Sequence, residues 1–135
     1  MKKRWISIMV VTVMFILNTV STFAASNVSV YLPASQVWTA SLLDQRSGAY
    51  YDVMMNLDSV YPTGNATDNY QKIQARIRNS DGITIMNGNY VVLNETENAQ
   101  YIMIKNGYIK TETVFFQFRG NTNSAAYAVV DYDAR

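Results

Sequence analysis

The chain of 135 residues contains no cysteine and no histidine. Without cysteine there is no disulfide, no thiolate nucleophile and no lipoprotein attachment point. Without histidine the commonest zinc ligand and the commonest general base of hydrolases are gone. A long apolar span is missing as well. The one sustained apolar run, Ile6 to Leu17, is twelve residues, short of the roughly 20 that cross a bilayer as a helix.

That run has a different use. It follows the basic cluster Lys2-Lys3-Arg4 and precedes Thr22-Phe23-Ala24, small residues of the kind a signal peptidase reads. This is the three-part grammar of a secretory signal peptide. Residues 1–24 are therefore expected to be the signal, with cleavage after Ala24 or, alternatively, Ala25. Residues 25–135 are expected to form one domain, of the ordinary domain size. An exported domain without disulfides stands on its apolar core alone, which points to a Gram-positive bacterium. On that reading the N-x-S/T tripeptides at Asn27, Asn65 and Asn94 are chance matches. No sortase-type ending or membrane tail follows, so release outside the cell is expected.

A strong excess of one charge is also absent. Removing Lys2, Lys3 and Arg4 from eleven basic residues leaves eight against ten acidic ones, a formal charge of −2. This argues against a nucleic-acid partner and against a cationic, membrane-disrupting peptide.

What the sequence does have is alternation. Val28, Val30 and Leu32 share one face of a first strand that Pro33 stops. Gln36 to Leu43, with Trp38, reads as a second strand apolar on both faces, and Asp44 to Gly48 as a turn. In Ala49 to Tyr61, Tyr51, Val53, Met55, Leu57 and Tyr61 fall on one face and the charges of Asp52 and Asp58 on the other, which predicts the first as the core face. Residues 62–69 are a loop by composition. Ile73, Ala75 and Ile77 alternate with Lys72, Gln74, Arg76 and Arg78; on a helix those three apolar residues would form no stripe.

Ile83 to Met86 and Tyr90 to Leu93 flank Asn87-Gly88-Asn89, which predicts a tight hairpin, the alternative being one longer bulged strand. Gln100 to Lys105 is another strand, followed by the hairpin signal Asn106-Gly107. Val114, Phe116 and Phe118 then alternate, as do Ala126, Ala128, Val130 and Tyr132 after the turn Gly120 to Asn123. The last pair reads as a C-terminal hairpin. The small Ala126 and Ala128 leave room for a phenyl ring or a facing sheet. Seven to nine short strands with turn signals every 8–12 residues and no internal repeat predict an all-β fold, an antiparallel β-sandwich of immunoglobulin-like or jelly-roll type.

Three chemistries are compatible with these residues. The first is carboxylate catalysis. Asp52 and Asp58 share a face, but six residues of strand hold them roughly 20 Å apart, too far for a glycosidase pair. Glu95 with Glu97, and Asp131 with Asp133, are closer, and solvated surface charges are the ordinary reading of all of these. No nucleophile elbow is present. The second is calcium, for which Asn65, Thr67, Asp68 and Asn69 offer oxygens in one loop, without the spacing of an EF-hand. An ordinary hydrogen-bonded loop is the plainer reading, so no metal or cofactor is expected.

The third is a ligand-binding face. Tyr31, Tyr50, Tyr70, Tyr90 and Tyr127 fall on mixed or outward faces. An exposed ring on a rigid sheet packs against sugar C–H groups while its hydroxyl stays wet. The plainer reading is that tyrosine suits strands, with its body half-buried. The row Lys72, Arg76 and Arg78 reads as a partner for Asp52 and Asp58 if their strands pair, or else as an anion site. Arg119, beside Gly120-Asn121, either holds the turn or reaches a ligand. The candidate ligand-binding residues are thus Tyr50, Tyr70, Tyr90, Tyr127 and Arg119.

The ending Phe116-Gln117-Phe118-Arg119-Gly120-Asn121, then Ala125-Ala126-Tyr127-Ala128-Val129-Val130-Asp131-Tyr132, resembles the C-terminus of small exported proteins of Gram-positive bacteria. In size, signal peptide and strand content the chain also resembles lactococcin-type bacteriocins, although it lacks their usual basic charge. Neither resemblance assigns a functional residue.

The expectation is a secreted, non-catalytic binding or interaction module, monomeric or weakly associating. It would act outside the cell on a glycan, a cell-wall polymer or a surface protein. The rivals are a bacteriocin-like antibacterial protein and, behind it, a carboxylate-based hydrolase.

Overall fold

A computed structural model describes residues 24–48, 50–64 and 70–135. The expected signal peptide and the proposed calcium loop at Asn65, Thr67, Asp68 and Asn69 lie outside the described residues, except for Ala24. Eight strands form among the described residues: β1 (Ala25–Leu32), β2 (Leu42–Gln45), β3 (Asp52–Pro62), β4 (Lys72–Arg78), β5 (Val91–Asn94), β6 (Gln100–Met103), β7 (Thr113–Gly120) and β8 (Ala126–Asp133).

Their pairing is nested. β1 pairs with β8, β2 with β7, β3 with β6 and β4 with β5, all antiparallel. This is a long ribbon doubled back between β4 and β5. β3 also pairs with β8, and β4 with β7. Those two seams roll the ribbon into two four-stranded sheets, β1-β8-β3-β6 and β2-β7-β4-β5. A doubled ribbon rolled into two sheets is a jelly roll, so of the two sandwich types expected the immunoglobulin-like one is not formed.

Alternation sets the core. Val30 and Leu32 of β1, Ile73, Ala75 and Ile77 of β4, and Val114, Phe116 and Phe118 of β7 are all buried, as expected. Phe116 meets Tyr132 of β8 with ring centroids 4.7 Å apart. Fully buried, Ala126 and Ala128 belong to the same core as Phe116 and Phe118. Their small volume gives the rings of the opposite sheet room to reach the middle layer.

That arrangement corrects the expected C-terminal hairpin. β7 and β8 belong to different sheets, and Gly120 to Asn123 carries the chain from one sheet to the other. Both strands are apolar on their inner faces, so each fits as readily across the core as side by side. Period-2 patterning fixes which face is dry, not which strand is the neighbour.

Four local expectations are also corrected. The second strand begins only at Leu42. Ala34–Gln36 is a 3-10 turn and Trp38 lies in an extended segment after it, while Asp44 and Gln45, expected in a turn, pair with β7. In β3, Val53, Met55 and Leu57 face the core, but Tyr51, just ahead of the strand, and Tyr61 are exposed. The β3–β8 register shifts between Leu57 and Ser59. This bulge puts one extra residue into β3, so every later side chain changes face: Val60 goes in and Tyr61 out.

The Asn87-Gly88-Asn89 hairpin is not formed. Arg78 bridges Thr84, Ile85 donates to the Ile77 carbonyl, and farther along β4 pairs with β5. Residues 84–85 and Val91–Asn94 thus both lie along β4 on either side of a break, so neither the hairpin nor one continuous bulged strand forms. In the interruption Met86 bridges Ile104 at the end of β6, which ties the two sheets together. Finally, Asn106–Tyr108 is a 3-10 turn rather than a hairpin turn.

Candidate functional site

The side chains that point away from the core on β4 and β7 are the starting point. Inward Ile73, Ala75 and Ile77 place Lys72, Gln74, Arg76 and Arg78 on the outer face, and inward Phe116 and Phe118 place Phe115, Gln117 and Arg119 there. In register, Gln74 lies opposite Arg119 and Arg76 opposite Gln117. Each arginine therefore sits across from a glutamine, and the pairs form. Arg76 Nε donates to Gln117 Oε1 at 2.8 Å, and Arg119 Nε donates to Gln74 Oε1 at 2.6 Å.

The glutamines are anchored in turn. Gln117 Nε2 donates to Ser41 Oγ at 3.0 Å and to the Thr39 carbonyl at 3.3 Å. Gln74 Nε2 donates to Asn121 Oδ1 at 3.0 Å. Although they face outward, Gln74 and Gln117 are buried, held against Arg76, Arg119, Asn121 and the segment of Thr39 and Ser41. Trp38 directly precedes Thr39. The segment bearing Trp38 is pinned along β7 by the Thr39 N–H to the Phe118 carbonyl (2.8 Å) and by the Phe118 N–H to Thr39 Oγ1 (3.1 Å). The Arg76 and Arg119 guanidinium carbons lie 4.2 Å and 4.4 Å from the Trp38 ring centroid, and Arg119 is also 5.3 Å from that of Tyr90.

Among the described residues the charge on this face is unbalanced: no carboxylate forms an ion pair with Arg76, Arg78 or Arg119, and the Nη groups of Arg76 and Arg119 make no hydrogen bond. Arg78 is occupied elsewhere, donating to the Gly82 carbonyl. Burial, with the like charges of Arg78 and Arg119 after it, lowers the Arg76 pKa. Two fixed guanidiniums over an aromatic ring, their Nη donors unbonded among the described residues, suit a carboxylate or phosphate, which guanidinium binds by paired N–H groups.

The ordinary reading of this basic row is overturned. Asp52 and Asp58 lie on β3, in the other sheet from Lys72, Arg76 and Arg78, so the expected cross-strand pairs do not form. Asp52 instead pairs with Arg135 at 3.5 Å. Asp58 meets Asn56 and Asp131 on the outer face of its own sheet, where Asn56 Nδ2 donates to Asp58 Oδ1 (2.8 Å) and Asp131 Oδ2 (3.2 Å).

The five expected site residues separate. Arg119 and Tyr90 come together at Trp38. Tyr127 lies on the opposite side of the sandwich, 5.2 Å from Tyr31. Tyr50 lies under the Arg135 guanidinium, which also reaches Tyr101. Tyr70 is a correction: it is buried in the core. A Cβ on Gly120 would lie 1.7 Å from the Tyr70 hydroxyl, so the tyrosine fills the space a side chain at position 120 would need.

Trp38 is the residue that sequence reasoning does not find, since its segment reads as a strand; for Arg76 the sequence leaves an anion site as the alternative to the ion pair. The available signal was the i, i+2 repeat of Lys72, Arg76 and Arg78 around Gln74, with no acid in the strand. No family model, curated protein or solved structure matches the chain.

Proposed function

We propose that the chain is an exported, non-catalytic binding module whose Arg76–Trp38–Arg119 face takes an anionic ligand outside the cell, such as the phosphate or carboxylate groups of a cell-wall polymer. One observation carries the reading: two guanidiniums are fixed by buried glutamines on one indole ring, with no carboxylate paired to them among the described residues. A cation that serves only the fold is normally paired when it loses water. These have lost part of theirs, and among the described residues nothing bonds their Nη donors, which supports a ligand there. The secretory signal expected in residues 1–24 supports a ligand met outside the cell.

The test is retention of the purified domain on an immobilised phosphodiester cell-wall polymer and on a polyuronate. Wild type is compared with a double Arg76→Gln, Arg119→Gln variant. The expected result is retention that falls with added salt, as screened charge pairs do, and that disappears in the double variant. Absence of retention on both polymers, or equal retention by the variant, refutes the reading.

A further inference from the structure

The outer face of the other sheet carries a different arrangement. Tyr31 of β1 lies opposite Tyr127 of β8, and Tyr127 lies opposite Tyr61 of β3. The three rings thus form one row across three neighbouring strands, spanning about 10 Å at the usual strand spacing. All are exposed, by 50%, 50% and 61% for Tyr31, Tyr127 and Tyr61. Tyr61 joins the row only because the bulge after Leu57 turns it outward.

The surroundings keep the rings open. The next outward row along the strands is Ser29, Val129 and Ser59, all small. Asn56 and Asp131 follow. The row also has a continuation. Tyr31 borders a shallow groove of about 380 Å³ that runs past Ser29 and Pro33 to Trp38, Ala40 and Leu42.

We propose that the Tyr61–Tyr127–Tyr31 row is a second binding surface, for a neutral polysaccharide chain. Exposed tyrosine faces pack against pyranose C–H groups, and their hydroxyls meet sugar hydroxyls. The row is about as long as a disaccharide. Its charge complements a neutral chain better than an acidic one: Asp58 and Asp131 lie next along the face, the Glu95 carboxylate accepts from the Val60 N–H beside Tyr61, and Arg76 and Arg119 lie on the opposite sheet. Cross-strand pairing accounts for the contact between Tyr31 and Tyr127. It does not account for all three rings being at least half exposed. The three tyrosines belong to no part of the anion face, which the groove meets only at Trp38, so either can fail alone.

The experiment is calorimetric titration with cellohexaose and chitohexaose. It compares wild type, Tyr61→Ala, a Tyr61→Ala, Tyr127→Ala double variant, Tyr61→Phe and the Arg76→Gln, Arg119→Gln variant, with sedimentation run alongside. Saturable binding to at least one oligosaccharide is expected. It should weaken about tenfold for Tyr61→Ala and further for the double variant, and persist in Tyr61→Phe and in the arginine variant. Thermal unfolding should show each variant folded. The proposal is overturned if neither oligosaccharide binds, if the double alanine variant binds as wild type does, or if the arginine variant alone loses binding. It is also overturned if wild type self-associates and Tyr61→Ala abolishes that association, which would make the row an interface between copies.

Discussion

The two outer faces of the sandwich are built from the same strand chemistry and finished in opposite ways. On the sheet of β2, β7, β4 and β5, long side chains lie flat: Arg76 and Arg119 lie against Trp38, and the glutamines beneath are buried and bonded. On the sheet of β1, β8, β3 and β6, Tyr31, Tyr127 and Tyr61 stand above small neighbours and keep half or more of their surface in water. The first face is an assembled layer and the second an open row. Residues on the first should therefore matter to stability as well as to binding, and residues on the second to binding alone.

Trp38→Ala tests this contrast most sharply. Removing the indole takes away the ring beneath two cations. The expected cost is about 2 kcal/mol, less than a fully buried tryptophan because Trp38 is half-buried. Tyr61→Ala, on the open row, should cost no more than about 1 kcal/mol. Urea unfolding of the two variants measures both. Equal losses would mean that the faces are built alike.

How much of this could be read from the sequence follows from what alternation encodes. Ile73, Ala75, Ile77, Val114, Phe116 and Phe118 were legible as inward because a strand's dry face repeats every second residue. Tyr61 was misplaced because a bulge leaves no mark in that pattern: Leu57 and Tyr61 share a parity, yet Asp58 is the extra residue that parts them. The ionic partners of Arg76 and Arg78 were misjudged because pairing is non-local. β3 and β4 are consecutive in sequence but lie in opposite sheets, which the nesting of β3 with β6 and β4 with β5 imposes. Of the site, Arg119 and Tyr90 were legible as polar-aromatic residues on outward positions. Trp38 was not, because it reaches the site from an extended segment held by the Thr39 contacts to Phe118.

Tyr70 offers a smaller effect and compares a buried tyrosine with the exposed ones. Its hydroxyl lies where a Cβ on Gly120 would stand, and it is buried with no hydrogen-bond partner among the described residues. An unpaired buried hydroxyl is a cost to folding, whereas the ring is a gain. Tyr70→Phe should therefore leave stability unchanged or raise it by up to about 1 kcal/mol. It should also leave retention on anionic polymers intact. A loss in either measurement would give the hydroxyl a bonded role.

The smallest expected effect belongs to the acidic end of the open face. Loss of water around the Asp58 carboxyl, then the charge of Asp131 and the hydrogen bond shared with it, raises the Asp58 pKa above its ordinary value. In the pH window just above that ordinary value the folded chain therefore holds more proton at Asp58 than the unfolded chain does. Stability contributed by this group is present at lower pH and is lost as pH rises through the window. Asp58→Asn removes the titration, and its amide places no charge beside Asp131. The variant should match or slightly exceed wild type at neutral pH, and its advantage should shrink towards the acid side. Melting temperatures of the two chains between pH 3 and 7 read this difference directly. An advantage that grew as the pH fell would mean that Asp58 is held as a favourable carboxylate, and that this face binds positive charge rather than tolerating its own negative charge.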